Sequence, residues 1–230
     1  MTTKAKTPIR VVVLVESPLF AEALGVALSR EDDLEYLGSA TSTDEAIDLV
    51  CRHAPDVVVI DADLPLLGNN GPDGIAEIKR VKEARPEMAV LVLAGVMDID
   101  HMARAATEGA CGFLAKSASL ADISTAIRTT KNGGMFVERE LIAPLLERIA
   151  SRRSLIAGGS ARATITPREQ EVLTLLGEGL DVAQIAKRLQ VSVNTCRGHV
   201  RNLLAKLGSH SQLEAVVEAV HQGLLPHLSR

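Results

Sequence analysis

Between residues 10 and 131, short apolar runs rich in β-branched residues alternate with amphipathic helical patterns. Strands separated by segments of helix length are joined by crossovers, and crossovers build parallel sheets. Five strands are predicted, Arg10 to Val15, Glu35 to Ser39, Asp56 to Ile60, Ala89 to Leu93 and Gly112 to Ala115. The runs at 11, 57 and 90 are apolar on both faces, as central parallel strands are. Ser17 followed by Pro18 reads as an N-cap and first-turn pair opening a helix to about Arg30, and Thr43 as the cap of a helix through His53. Further helices fit 73–84, 98–108 and 119–131. The fold class is α/β, a doubly wound five-stranded parallel sheet.

After Lys131-Asn132-Gly133-Gly134 a helix over about 138–151 leads into a stretch rich in Gly, Ser and Arg, which reads as a linker. From 165 to 224 the pattern is purely helical, with Pro167 behind Thr166 and breaks at Gly177-Glu178-Gly179, Gln190 to Ser192 and Gly208 to Ser211. Four short helices result. The chain divides into 1–131, a linker over 132–163 and an all-α domain over 164–230.

Several function classes are disfavoured. Aromatic residues make up 2% of the chain, with no Trp, so bases have few rings to stack on. Cys51, Cys111 and Cys196 are far apart and lack a His cluster at metal-ligand spacing, which suggests neither a disulfide framework nor a zinc site. The apolar run Val11 to Val15 is too short for a signal-peptide core or a membrane span, so a cytoplasmic chain without a membrane partner is expected. The net charge of −4 is unevenly spread: residues 1–150 carry −8, while no acid falls between Val182 and Gln212, where Lys187, Arg188, Arg197, Arg201 and Lys206 stand. That is a local basic footprint of the kind duplex DNA attracts.

Within Asp181 to Leu207 the first helix places Val182, Ile185, Ala186 and Leu189 on one face, and the second does so with Cys196, Val200, Leu203, Leu204 and Leu207. Gln190-Val191-Ser192 forms the turn between them, and Ser192 can cap the second helix. Its opposite face presents Asn194, Arg197, Gly198 and Arg201, a polar and basic strip suited to the major groove. A solvated helix face is the plain alternative, but a helix-interior glycine costs about 1 kcal/mol, and acids are missing from the whole stretch.

Thr166-Pro167-Arg168-Glu169-Gln170-Glu171-Val172-Leu173, Gln184-Ile185-Ala186, Val193 to Val200 and Leu204-Ala205-Lys206-Leu207 together resemble the LuxR-type DNA-binding domain of NarL/FixJ-class response regulators. The resemblance implies that the helix from Ser192 is the recognition helix. Arg197, Gly198 and Arg201 would then face the bases, with Ser192, Thr195, His199 and Lys206 as candidate phosphate contacts. Gly198 departs from the family's commoner larger residue. Cys196 stands where the family usually has Val, in the apolar stripe, and reads as a core residue. The last helix carries an inward stripe of Leu213, Val216, Val217 and Val220, and its flank of Ala215, Val216 and Ala219 is the surface on which a second copy would pack. A homodimer on a two-part site is expected.

The first 131 residues resemble the CheY-like receiver that precedes such domains, through Asp61 at the end of the third strand, Pro65 four residues on, Lys116 after the fifth strand and Phe113 three residues before it. The resemblance implies that Asp61 is a phosphoacceptor, that two acids after the first strand hold Mg²⁺ with it, that a Ser or Thr after the fourth strand binds the phosphoryl group, and that the Lys neutralises it. Here the acid pair reads Val15-Glu16 and the hydroxyl position is Ala94, so two polar groups are lost. Glu16 and Asp61 remain as the Mg²⁺ ligands the chain offers, and no cofactor is required. The loop Leu66 to Asp73 is about five residues longer than usual and is a candidate seat for a small ligand.

Three readings follow: a DNA-binding regulator with an atypical receiver, a conventional regulator activated at Asp61 by a sensor kinase, and an enzyme on a flavodoxin-like fold. No glycine-rich loop follows the first strand and no nucleophile elbow occurs, which leaves the enzyme weakest.

Overall fold

A computed structural model of the chain describes residues 7–64, 74–95, 98–153, 164–209 and 211–225. The extended loop at 65–73, with Pro65, lies outside the described residues. Five strands, β1 (Ile9–Leu14), β2 (Leu34–Ala40), β3 (Val57–Asp61), β4 (Ala89–Ala94) and β5 (Gly112–Ala115), form one sheet in the order β2-β1-β3-β4-β5, every pairing parallel. Between and after them run α1 (Pro18–Leu28), α2 (Thr43–His53), α3 (Gly74–Ala84), α4 (Ile99–Thr107) and α5 (Leu120–Lys131). Ser17 caps α1 as its sequence implies. The cap of α2 is Ser42 rather than Thr43, because the Ser42 hydroxyl accepts from the Glu45 N–H and leaves Thr43 as the first helical residue.

Strand side chains alternate between the two faces. Val12, Leu14, Val58 and Ile60 enter the core packed under α3 and α4, while Val11, Val13, Val15, Val57 and Val59 enter the one under α1 and α5. Arg128 on α5 clamps the connection before β2, reaching Asp33 at 2.7 Å and Glu31 at 2.6 Å.

Beyond α5 the chain returns to the sheet edge. The Phe113 N–H donates to the Phe136 carbonyl at 2.8 Å, and the Phe136 N–H donates to that of Cys111 at 3.2 Å. This strap launches α6 (Arg139–Arg153), a helix with two apolar faces. Leu145 and Ile149 join the core that holds Ile60 and Phe113, whereas Ile142 and Leu146 join the C-terminal core. That second core is built on α7 (Pro167–Gly177), α8 (Val182–Arg188), α9 (Val193–Leu207) and α10 (Gln212–His221). α10 also serves both: Leu213 and Val217 lie with the sheet's core, and Ala215, Val216 and Ala219 with the C-terminal one.

The strap has no spare room at Gly112, where a Cβ would lie 2.9 Å from Leu91 Cδ1 and 3.1 Å from the Phe136 carbonyl oxygen. Gly112→Ala is therefore expected to cost about 1 to 3 kcal/mol by overpacking. The loss should appear as a lower urea midpoint at unchanged m-value.

Candidate functional site

Two sites emerge, one at each end of the chain. The first lies at the carboxyl ends of β3, β4 and β5, where ligands of doubly wound sheets bind. Parallel register aligns Asp61 with Leu93 and Ala94 with Ala115, so Asp61, Gly95 and Lys116 leave the sheet side by side. Asp61 is 3% exposed and its Oδ1 receives the Lys116 ammonium at 2.7 Å. The same ammonium reaches Asp63 Oδ2 at 2.9 Å. Asp63 closes the arrangement, its own N–H donating to Asp61 Oδ1 at 2.9 Å while its Oδ2 accepts the Gly95 N–H at 2.9 Å. Burial works against charge on Asp63, but the hydrogen bonds from Lys116 and Gly95 outweigh it and hold this carboxyl below the usual range. Burial likewise opposes the Lys116 charge, and the two carboxylates reverse it and raise the ammonium above the ordinary lysine value.

Asp63 is a functional residue that the sequence pattern does not single out, and its only signal there is an acid two residues beyond Asp61. The other residues fall as follows: Ala94 is buried at the end of β4, Phe113 is 5% exposed in the core, and Glu16 is exposed beyond β1. Val15 is fully buried in the core under α1, so it offers nothing to a ligand. The receiver resemblance implies Mg²⁺ at this place. Mg²⁺ is held by one or two carboxylates with waters completing its shell, so Asp61 and Glu16 are the residues that would hold it, with Asp61 Oδ1 already shared with Lys116 and the Asp63 N–H.

The second site is α9. Asp181 and Gln184 form a capping box that starts α8, Gln190 turns the chain at a φ of 54°, and Ser192 caps α9 by accepting the Thr195 N–H at 3.0 Å. Cys196, Val200, Leu203 and Leu207 are buried beneath the helix. Burial pushes the Cys196 thiol up, against a weaker pull from Arg168, as befits a core residue. On the opposite face Asn194, Thr195, Arg197 and Arg201 are exposed, and Gly198 and His199 half-buried. A Cβ at Gly198 would touch nothing within 4 Å, so no contact inside the chain calls for glycine there. Arg197 and Arg201 have no acidic partner among the described residues, and both line a cleft whose far wall runs from Thr129 to Met135.

Lys206 stands apart from this strip. Its ammonium reaches Oε2 of Glu169, a carboxylate 4% exposed, at 2.7 Å. Glu169 also accepts the Thr166 N–H at 2.7 Å in the capping box of α7.

Residues 11–128, just over half of the chain, match the family described as Response regulator receiver domain. The chain is a response regulator. Its residues 163–219 match the bacterial regulatory proteins of the luxR family, so receiver and DNA-binding domain stand in one chain. The regulator is 29% identical over 221 residues to the transcriptional regulatory protein LnrK of Bacillus subtilis, covering 94% of this chain and 98% of that one. It is 27% identical to the response regulator protein VraR of Staphylococcus saprophyticus, covering 95% and 99%. Among solved structures it shares the fold of RcsB from Salmonella enterica serovar Typhimurium, solved bound to a promoter with the phosphomimetic BeF3⁻, at 22% identity and a TM-score of 0.53 over 93% of this chain and 98% of that one. These relatives are transcription regulators rather than enzymes, and the flavodoxin-like enzyme falls away. No described helix is long and apolar enough to cross a membrane.

Glu169 gives a pH signature. Burial favours its neutral form, but Lys206 and the Thr166 N–H prevail and depress its pKa in the folded state. The stabilisation is complete above the ordinary glutamate value of about 4.3 and is lost as pH falls through the lower folded value. Lys206→Ala leaves a buried carboxylate short of a partner and is expected to cost about 1 to 3 kcal/mol. Denaturation between pH 3 and 6 checks this: the acid loss should flatten in Glu169→Gln.

Proposed function

We propose that this regulator binds duplex DNA through α9 as a homodimer, in the cytoplasm, with the division into 1–131, 132–163 and 164–230 as its working parts. The observation that carries the reading is the exposed, acid-free strip of Asn194, Arg197, Gly198 and Arg201 on a helix whose other face is core. Arginines there reach guanine edges or phosphates. Ser192, Thr195 and His199 flank the strip as phosphate contacts. Lys206, committed to Glu169, would act on DNA only by keeping α7 and α9 together.

The dimer surface needs a correction. Of the stripe expected to face inward, Val216 is buried and Val220 half-buried in the C-terminal core, but Leu213 and Val217 are buried in the receiver's core instead, and Ala215 and Ala219, expected to be free for a second copy, are fully buried in the C-terminal core. α10 packs on α4 and α6 as well as on α7 and α9, and its receiver-facing residues are Leu213 and Val217. In this reading, pairing through α10 uses the face bared when it leaves the receiver, that of Leu213 and Val217, and the same movement frees Arg197 and Arg201 from the cleft.

Arg197→Ala in the full chain is expected to cost about 1 to 3 kcal/mol on the best site and to relax sequence preference. Gly198→Ala should stabilise the fold by up to about 1 kcal/mol while weakening DNA binding, since the added methyl would stand only in the way of the groove. Binding and footprinting across a salt series, with melting curves beside them, read these effects. Protection of a single half-site by a monomer would refute the dimer.

Control, in this reading, does not run through ordinary Mg²⁺-dependent phosphorylation, although Asp61 remains the acceptor if any residue is, and Glu16 and Asp61 are what would hold Mg²⁺. A sensor kinase is then optional, and a small ligand or dimerisation itself biases the receiver. Acetyl phosphate with Mg²⁺ should leave the intact mass and promoter affinity of wild type unchanged. Stoichiometric modification that is absent in Asp61→Ala and tightens DNA binding several-fold would establish the conventional regulator instead.

A further inference from the structure

Of the groups outside the DNA-binding strip, the carboxylate of Asp63 is the one whose position the functions described so far leave unused. A structural ion pair would need only Lys116 and the buried Asp61. Asp63 adds a second carboxylate to the same ammonium and takes up the Gly95 N–H as well.

We propose that Asp63 is an anion built into the receiver that fills the subsite a phosphoryl group on Asp61 would occupy, and so decides whether the site accepts a tetrahedral oxyanion. The inference deepens the reading of an altered receiver and rests on it. A phosphoryl group on Asp61 would project from the carboxyl ends of β3, β4 and β5, where the donors are the Lys116 ammonium and the Gly95 N–H. Both donors converge on one oxygen, Asp63 Oδ2, at 2.9 Å each. The Asp63 N–H bonded to Asp61 Oδ1 holds the intervening turn, so the carboxylate is aimed rather than drifting.

Two further observations fit an occupant better than a structural strut. Gly95 provides the space, because a Cβ there would lie 3.0 Å from Asp63 Oδ2. The side chain of Asp63 is 45% exposed, so no burial obliges it to pair, and it can turn to water when a stronger anion arrives. The charge count agrees, since one ammonium already faces two carboxylates and has no positive excess with which to draw phosphate. The loss of the hydroxyl at Ala94 is matched by an internal acid in place of an external one.

The test uses the full chain, isotope-labelled and titrated with inorganic phosphate at constant ionic strength without added metal, with the Gly95 amide as reporter. Asp63→Ala should bind phosphate at least tenfold more tightly than wild type and shift the Gly95 amide on binding. Asp63→Asn, which keeps the shape and loses the charge, should fall between them and decides the matter if Asp63→Ala does not fold. Adding Lys116→Met to Asp63→Ala should abolish the gain. Wild type and Asp63→Ala binding within twofold of each other, neither binding at all, or a gain that survives Lys116→Met would each overturn the proposal. The two readings can fail separately. Modification of wild type by acetyl phosphate would end the reading of altered control even where Asp63→Ala gains phosphate affinity, and an unmodified wild type with no gain in Asp63→Ala would end this one alone.

Discussion

The regulator's arrangement depends on α10 burying both of its flanks within one chain. Leu213 and Val217 are sealed into the receiver's core, and Ala215, Val216 and Ala219 into the DNA-binding domain's. Exposing a buried Leu or Val side chain costs about 1.5 to 3 kcal/mol, so detaching the two receiver-facing residues costs about 3 to 6 kcal/mol. On that term alone the closed arrangement is favoured by roughly 10² to 10⁴. A second copy pairing through α10 would meet no ready-made surface there and would have to contribute enough binding energy to the open form to overcome that difference. Only a ligand with differential affinity for the open form shifts the balance.

The receiver site can be understood in the same terms. Its cation is held by two carboxylates from one short segment, Asp61 and Asp63, and its principal backbone donor, Gly95, is also committed. With its donors satisfied internally, the site carries no positive excess with which to draw an external phosphate. On the reading proposed for control, the trigger for opening would lie in whatever competes for α10 rather than in what arrives at Asp61.

Much of this was legible in the sequence because periodicity reports burial. The five strands, the crossover helices and the four C-terminal helices follow from runs such as Val57 to Ile60 and stripes such as Cys196, Val200, Leu203 and Leu207. Four features were not legible, each for a physical reason. The cap of α2 shifted by one residue because Ser42 and Thr43 are equally able to accept an N–H, and only backbone angles choose between them. Asp63 was invisible because its role depends on the parallel register that brings Gly95 and Lys116 beside it. That Leu213 and Val217 of α10 are buried in the receiver's core depends on how the two domains meet, which no stripe within one helix records. Lys206 belongs to the same class: the LuxR-type resemblance implies a phosphate contact, and its partner Glu169, 37 residues earlier, is joined to it only by folding.

The two ends of the molecule meet in one core. Phe113, on the strand that ends beside Lys116, is buried in the same apolar cluster as Leu213 and Val217 of α10. Its backbone N–H is bonded to Phe136, the strap from which α6 departs to join both domains. A packed core has a few discrete arrangements rather than a continuum, so a change in how Phe113 packs must either keep α10 seated or expel it. In this structure the Asp63 carboxylate sits on Lys116 and Gly95 while Phe113 and α10 share one core, so under the proposal for Asp63 a filled receiver site and a closed molecule would go together, the reverse of a switch in which filling the site opens the protein.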